Sequence, residues 1–153
     1  MAKYTVTMYT PEDGEHVAAN MREMDVFECK AVGFSTSLEA INESVKASNQ
    51  AWSLCYGNMP LCVFGDVSDS AGGAVIWELG TNAIRHHKKG FMMSSRKIIH
   101  NYLKRYKYLT NVVCMDNHES VRWLKWLGAE FLEDTAIIQG KPFQRFYIER
   151  SER

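Results

Sequence analysis

The chain has no net charge, its 18 Lys and Arg balancing its 18 Asp and Glu over 153 residues. A neutral whole excludes a general pull toward nucleic acid or anionic membrane, so any such attraction must be local. Long apolar runs are missing as well. The amino terminus, MAKYTVTMYT, alternates polar and apolar residues, which predicts neither signal peptide nor membrane anchor and leads to the expectation of a protein kept in the cytoplasm of the cell that makes it. Paired cysteines are missing too. Cys29, Cys55, Cys62 and Cys114 stand far apart among mostly apolar neighbours with no C-x-x-C, so they read as reduced core thiols and not as a disulfide framework or zinc site. No repeat, low-complexity tract or linker is visible, and the length suits a single domain, 1–153.

One scarcity is regional. Residues 1–50 carry eight acids against four bases, yet no acid occurs from Leu79 to Met115, a stretch that holds eight bases. Its densest part is IRHHKKGFMMSSRK, Ile84 to Lys97.

Hydrophobic periodicity supplies the elements. Lys3 to Tyr9 alternates as a strand, and Thr10-Pro11-Glu12-Asp13 announces a helix expected to run from Pro11 to about Met24. Ser35 to Ala47 reads as a second helix capped by Ser35 or Ser37, with Leu38, Ile41 and Val45 on its apolar face. Trp52 to Tyr56, Leu61 to Asp66 and Ala74 to Leu79 form three short runs separated by turn residues, as in an antiparallel meander. Asn82 to Tyr108 returns to helical spacing with Phe91 and Tyr102 inward and Lys97 and Lys104 outward. Leu109 to Met115 reads as a buried strand, Asp116-Asn117 caps a helix to Leu127, Gly128 stops it, and Glu130 to Leu132 and Phe143 to Glu149 close the chain as strands. The resulting order β, α, α, β, β, β, α, β, α, β, β belongs to a mixed α/β (α+β) domain.

Several words in the second half carry a resemblance. Trp77 to Thr81 (WELGT), His86 to Phe91 (HHKKGF is the run from His86), Asn117 to Gly128 (NHESVRWLKWLG) and Gly140 to Phe146 (GKPFQRF) resemble a family of GNAT-like proteins of tailed bacteriophages, which includes the small internal virion protein of short-tailed coliphages. The resemblance implies a GNAT-like fold with a central, mostly antiparallel mixed sheet of about 6–7 strands, helices on both faces, and splayed strands at 74–79 and 109–115. It implies one of two functions. The chain is an acetyl-CoA-dependent N-acetyltransferase acting on an unknown amine, or a noncatalytic descendant that contacts other phage virion proteins in the host cytoplasm and the virion interior.

On the enzyme reading, acetyl-CoA is the co-substrate, no metal takes part, and the cofactor-binding residues are Leu79, Arg85, Lys88, Lys89, Gly90, Phe91 and Asn117. The GNAT pyrophosphate loop is typically R/Q-x-x-G-x-G/A, because glycines let successive N–H groups turn inward at a helix start. Here Arg85 and Gly90 match the ends of that pattern, and Lys88 replaces the middle glycine. The same basic residues also read as a solvated first turn. Glu78 is the catalytic candidate, a base whose pKa its apolar neighbours would raise, and it also reads as an outward glutamate on a half-exposed strand. The tyrosine that protonates the departing thiolate in such enzymes is missing, since Trp123 to Trp126 reads WLKW.

Two further readings are weaker. Tyr102, Tyr106 and Tyr108 could stack on bases beside the cations, but they fall next to an apolar helix face, where packing accounts for them. His86 and His87 point about 100° apart on a helix and cannot share one metal ion. Of Trp123 and Trp126, one is expected in the core and the other at a protein interface.

Overall fold

The computed structural model describes residues 3–150. Seven strands hydrogen-bond in the order β1-β2-β3-β4-β5-β7-β6, where β1 is Tyr4–Met8, β2 Gln50–Tyr56, β3 Met59–Ser68, β4 Ala74–Gly80, β5 Tyr108–Cys114, β6 Glu130–Ile138 and β7 Lys141–Glu149. The described residues fall into two compact units, 3–67 with Trp77–Phe91 and Ser68–Ile76 with 92–150.

In the first unit, β1 pairs antiparallel with β2 and β2 with β3. Helix α1, Pro11–Ala19, starts on the capping box that the sequence announces, Thr10 Oγ1 accepting from Asp13 N–H and Asp13 returning the bond to Thr10 N–H. The expected single helix to Met24 does not form. A second helix, α2, Glu23–Ala31, begins after a break. The break has a physical cause: Arg22 N–H donates to Gly80 O, Asn82 N–H donates to Asn20 O, and Met21 bridges Thr81 antiparallel, so the backbone of 20–22 is held against the end of β4. Helix α3, Ser37–Ala47, is capped by Thr36, which accepts from Glu39 N–H at 3.0 Å, and not by Ser35 or Ser37. Val17, Met21, Cys29, Ala40, Ile41 and Val63 form the core between these helices and the sheet, and Trp77 and Leu79 pack against it. A 3-10 turn, Asn82–His86, follows β4 and leads into α4, Lys88–Arg105, so the expected helix from Asn82 is interrupted at His87.

In the second unit, β4 pairs with β5 in parallel at Ala74↔Leu109 and Val75↔Thr110. Beyond them the Asn111 side chain replaces the ladder, its Nδ2 donating to Ile76 O at 2.6 Å while its Oδ1 accepts from Val112 N–H. Helix α5, His118–Trp126, is capped by Asn117 and ends at Gly128, whose φ of 100° suits glycine. β5 runs antiparallel to β7 along its whole length, and β6 and β7 form a longer hairpin than Glu130 to Leu132 and Phe143 to Glu149 predict.

Candidate functional site

The end of β4 holds the residues that the sequence singles out most strongly, and the structure surrounds them with residues it does not. Glu78 lies against Arg22, whose Nη2 donates to Oε1 at 2.7 Å and to Oε2 at 2.9 Å. The same guanidinium donates from Nε and Nη2 to Asp25 Oδ2 at 3.0 and 2.7 Å. That oxygen also accepts the Gly80 N–H at 2.8 Å. One arginine therefore bridges two carboxylates, and the side chains of all three are mostly out of water, with 20% of Arg22, 8% of Asp25 and 14% of Glu78 exposed.

The neighbours shape the protonation of this cluster. Burial, the largest influence on Glu78, lifts its pKa above the ordinary range, and the pull of Arg22 only partly offsets it. Burial also works against the charge of Arg22, yet Glu78 and Asp25 together hold the guanidinium protonated beyond its usual range. Cys62 hydrogen-bonds to Glu78, and burial first, then the Glu78 charge, keeps that thiol protonated. A general base needs a carboxylate oxygen open toward an incoming proton. Both Glu78 oxygens face a guanidinium instead, so Glu78 is neither outward nor free, and the arrangement works as a clamp that fixes the start of α2 to the end of β4.

The amides after β4 are committed as well. Gly80 N–H donates to Asp25, Thr81 N–H to Leu61 O at 2.9 Å, and Asn82 N–H to Asn20 O at 3.0 Å. Leu79 packs on the core. What is left for an anion is the first turn of α4, where Lys88 and Lys89 are exposed and Arg85, also exposed, reaches back to Asn82 Oδ1.

Gly90 in that turn lies against a side chain of β1. Its φ is not positive, and a Cβ there would run into the ring of Tyr4. Tyr4 in turn shares a 2.8 Å hydrogen bond with His87 Nδ1, and Tyr56 packs on both rings, with centroids 4.9 Å from Tyr4 and 4.5 Å from His87. The glycine thus admits an aromatic group of β1. Phe91 is buried. The charge of the turn suits a diphosphate, but Lys88 stands where the resemblance expects glycine, and Tyr4 covers one side of Gly90.

Asn117 belongs to the second unit, where it is buried and caps α5 by accepting from Ser120 N–H. Seven of the eight singled-out residues are therefore in the first unit and one is in the second. Arg22, Asp25, Tyr4 and His87 are the interacting residues that sequence reasoning missed. An Arg-x-x-Asp pair at a helix start usually faces water, and nothing local announces a partner 56 residues away.

The comparisons with known proteins speak to fold and descent. The family described as "Bacteriophage T7, probable scaffold protein Gp13" matches residues 54–136. The probable scaffold protein gp13 of Escherichia phage T7 is 31% identical over 127 residues, 81% of this chain and 83% of its own. Among solved structures, the spermidine N-acetyltransferase of Vibrio cholerae in complex with CoA and spermine is similar with a TM-score of 0.71 at 13% identity, over 97% of this chain and 96% of its own. The GNAT-family acetyltransferase of Bacillus anthracis aligns over 99% and 100% of the two chains with a TM-score of 0.71 at 12% identity. The ribosomal-protein-S18-alanine N-acetyltransferase of Escherichia coli does so over 98% and 96%, again with 0.71, at 10% identity. Identities this low speak for the fold alone, whereas the phage match speaks for descent. Built on the fold of GNAT acetyltransferases, the chain belongs to the family of the bacteriophage T7 probable scaffold protein gp13.

Proposed function

We propose that this chain is a noncatalytic phage protein of the virion interior or its assembly, one GNAT-like domain over 1–153 that serves contacts with other phage proteins. The observation that carries this reading is the clamp: Arg22 engages both oxygens of Glu78, the carboxylate that would be the candidate base for acetyl transfer. Two features support it. The amides of Gly80, Thr81 and Asn82 already have partners within the chain, and α5 offers Leu124 and Lys125 where a thiolate-protonating tyrosine is expected. The name of the T7 relative, a probable scaffold protein, points the same way.

A second reading keeps the acetyltransferase, with acetyl-CoA as co-substrate and an amine as acceptor. Its support is the fold, together with the cations Arg85, Lys88 and Lys89 at the start of α4, which suit a diphosphate. The test has two arms. Purified protein is incubated with acetyl-CoA and spermine, and CoA thiol release is followed; the proposal expects no release above the rate without the chain, and fixed copies of the chain in purified particles. Chain-dependent release that disappears in folded Glu78→Gln, with no chain in the particles, would overturn it. Melting with acetyl-CoA against adenosine diphosphate separates binding from transfer: ligand at about a hundred times its dissociation constant stabilises by about 2.7 kcal/mol, several degrees for this size. A shift without release means a cleft that holds the cofactor and does no chemistry.

A further inference from the structure

Two surfaces of the second unit complement each other. On the first, the Arg96 guanidinium lies 4.1 Å from the centre of the Trp126 ring. That contact sets one face of α4, with Met93 one turn before Arg96, beside one face of α5, with Arg122 one turn before Trp126. All four side chains are exposed. The face exposes a methionine and a tryptophan beside two arginines, residue types that recur at protein interfaces.

The second surface is the edge of the sheet. β6 ends the strand order, and its register with β7 shifts between Phe131 and Thr135. Residues 132–134 therefore bulge from the ladder, held by Gln144 Nε2, which donates to Thr135 Oγ1, and by Thr135 Oγ1, which donates to Glu133 O. Arg145, opposite the bulge, is turned to Thr110. Leu132 and Ile137 are exposed, and neither Glu133 nor Asp134 has an ion-pair partner among the described residues. A bulge with charges obstructs edge-to-edge strand pairing. It presents instead a leucine beside two carboxylates.

We propose that a second copy of this chain is the partner of both surfaces, the Leu132–Glu133–Asp134 bulge of each copy seating on the Met93–Arg96–Arg122–Trp126 face of the other. Charge complementarity selects the occupant: the cationic face needs acids flanking an apolar side chain, and the chain carries that combination itself. Lys125 Nζ lies 6.0 Å from the centre of the Phe131 ring, which brings the end of α5 to the start of β6, and two copies that exchange both contacts close on a two-fold axis. This inference does not depend on whether the end of β4 is catalytic.

The experiment is sedimentation velocity of the full chain at low salt with two charge-reversed variants, Arg96→Glu/Arg122→Glu and Glu133→Arg/Asp134→Arg, each first checked for cooperative melting and wild-type circular dichroism. The wild type is expected to dimerise, more weakly as salt rises, and each variant alone to associate at least tenfold more weakly. Mixing the two restores a heterodimer, because every contact in the mixed pair again joins opposite charges. A monomeric wild type, a dimer indifferent to both reversals, or a mixture that stays monomeric overturns the proposal. So does a wild type that remains monomeric but binds duplex DNA through Arg96 and Arg122 with steep salt dependence.

Discussion

Arg22, Asp25 and Glu78 in the first unit are mostly withdrawn from water and satisfy one another, whereas Arg96, Glu133 and Asp134 in the second lie on its surface. The difference separates two uses of charge. Buried ions are committed to position backbone, here the break at 20–22 and the end of β4, because each would be costly alone. Exposed ions hold little of the fold together and are available to partners. A carboxylate nominated for chemistry by its place in a familiar fold can therefore be the one most engaged in architecture.

The largest way to test that contrast is Arg22→Met, which strands two carboxylates out of water. It should cost about 3–5 kcal/mol in urea unfolding, while Arg96→Met should stay within about 1 kcal/mol. Equal small losses would erase the distinction between the units. Gly90→Ala comes next. An open helical glycine gains about 1 kcal/mol on this change; here the new methyl must displace Tyr4, so a loss of about 1–3 kcal/mol is expected, turning to a gain when Tyr4→Ala is already present. Smaller still are the caps. Thr36→Ala in the first unit and Asn117→Ala in the second should each cost about 1 kcal/mol, with Ser35→Ala and Ser37→Ala nearly silent; an Asn117 change that leaves stability untouched would remove it from the scaffold.

The subtlest contrast is in pH dependence. Burial raises the pKa of Glu78, so its proton favours the folded state; that stability is complete below the ordinary carboxylate range and is lost as pH climbs through the raised value. Asp69 in the second unit is the reverse. A hydrogen bond from Tyr108, then backbone N–H donors, lowers its pKa, so its contribution is present above the ordinary range and lost as pH falls. Glu78→Gln should flatten the neutral side of the stability curve and Asp69→Asn the acid side. Matching effects from the two variants would contradict the assignment.

Much of the fold was legible because it depends on local pattern: alternation in β1, the Thr10 to Asp13 capping box, the valine-rich β5, the Asn117 cap and the Gly128 stop. The motifs that carried the resemblance led to the family and to the seven-stranded mixed sheet. The break at 20–22 was hidden because Met21 and Arg22 have helical propensity and only a distant strand end holds their backbone. The clamp was hidden for the same reason. Glu78 looked like a base or a surface residue because its neutraliser lies far away in sequence, and Gly90 looked like a phosphate glycine because nothing local places Tyr4 against it.

The most direct measurement is a double-mutant cycle between Arg22→Met and Glu78→Gln by equilibrium urea unfolding at neutral pH. If Glu78 is chiefly a partner of Arg22, its replacement should recover part of the arginine loss, leaving the pair at least about 1 kcal/mol from additivity. Additivity within about 0.5 kcal/mol would mean the two do not support each other and would return Glu78 to the status of a free carboxylate.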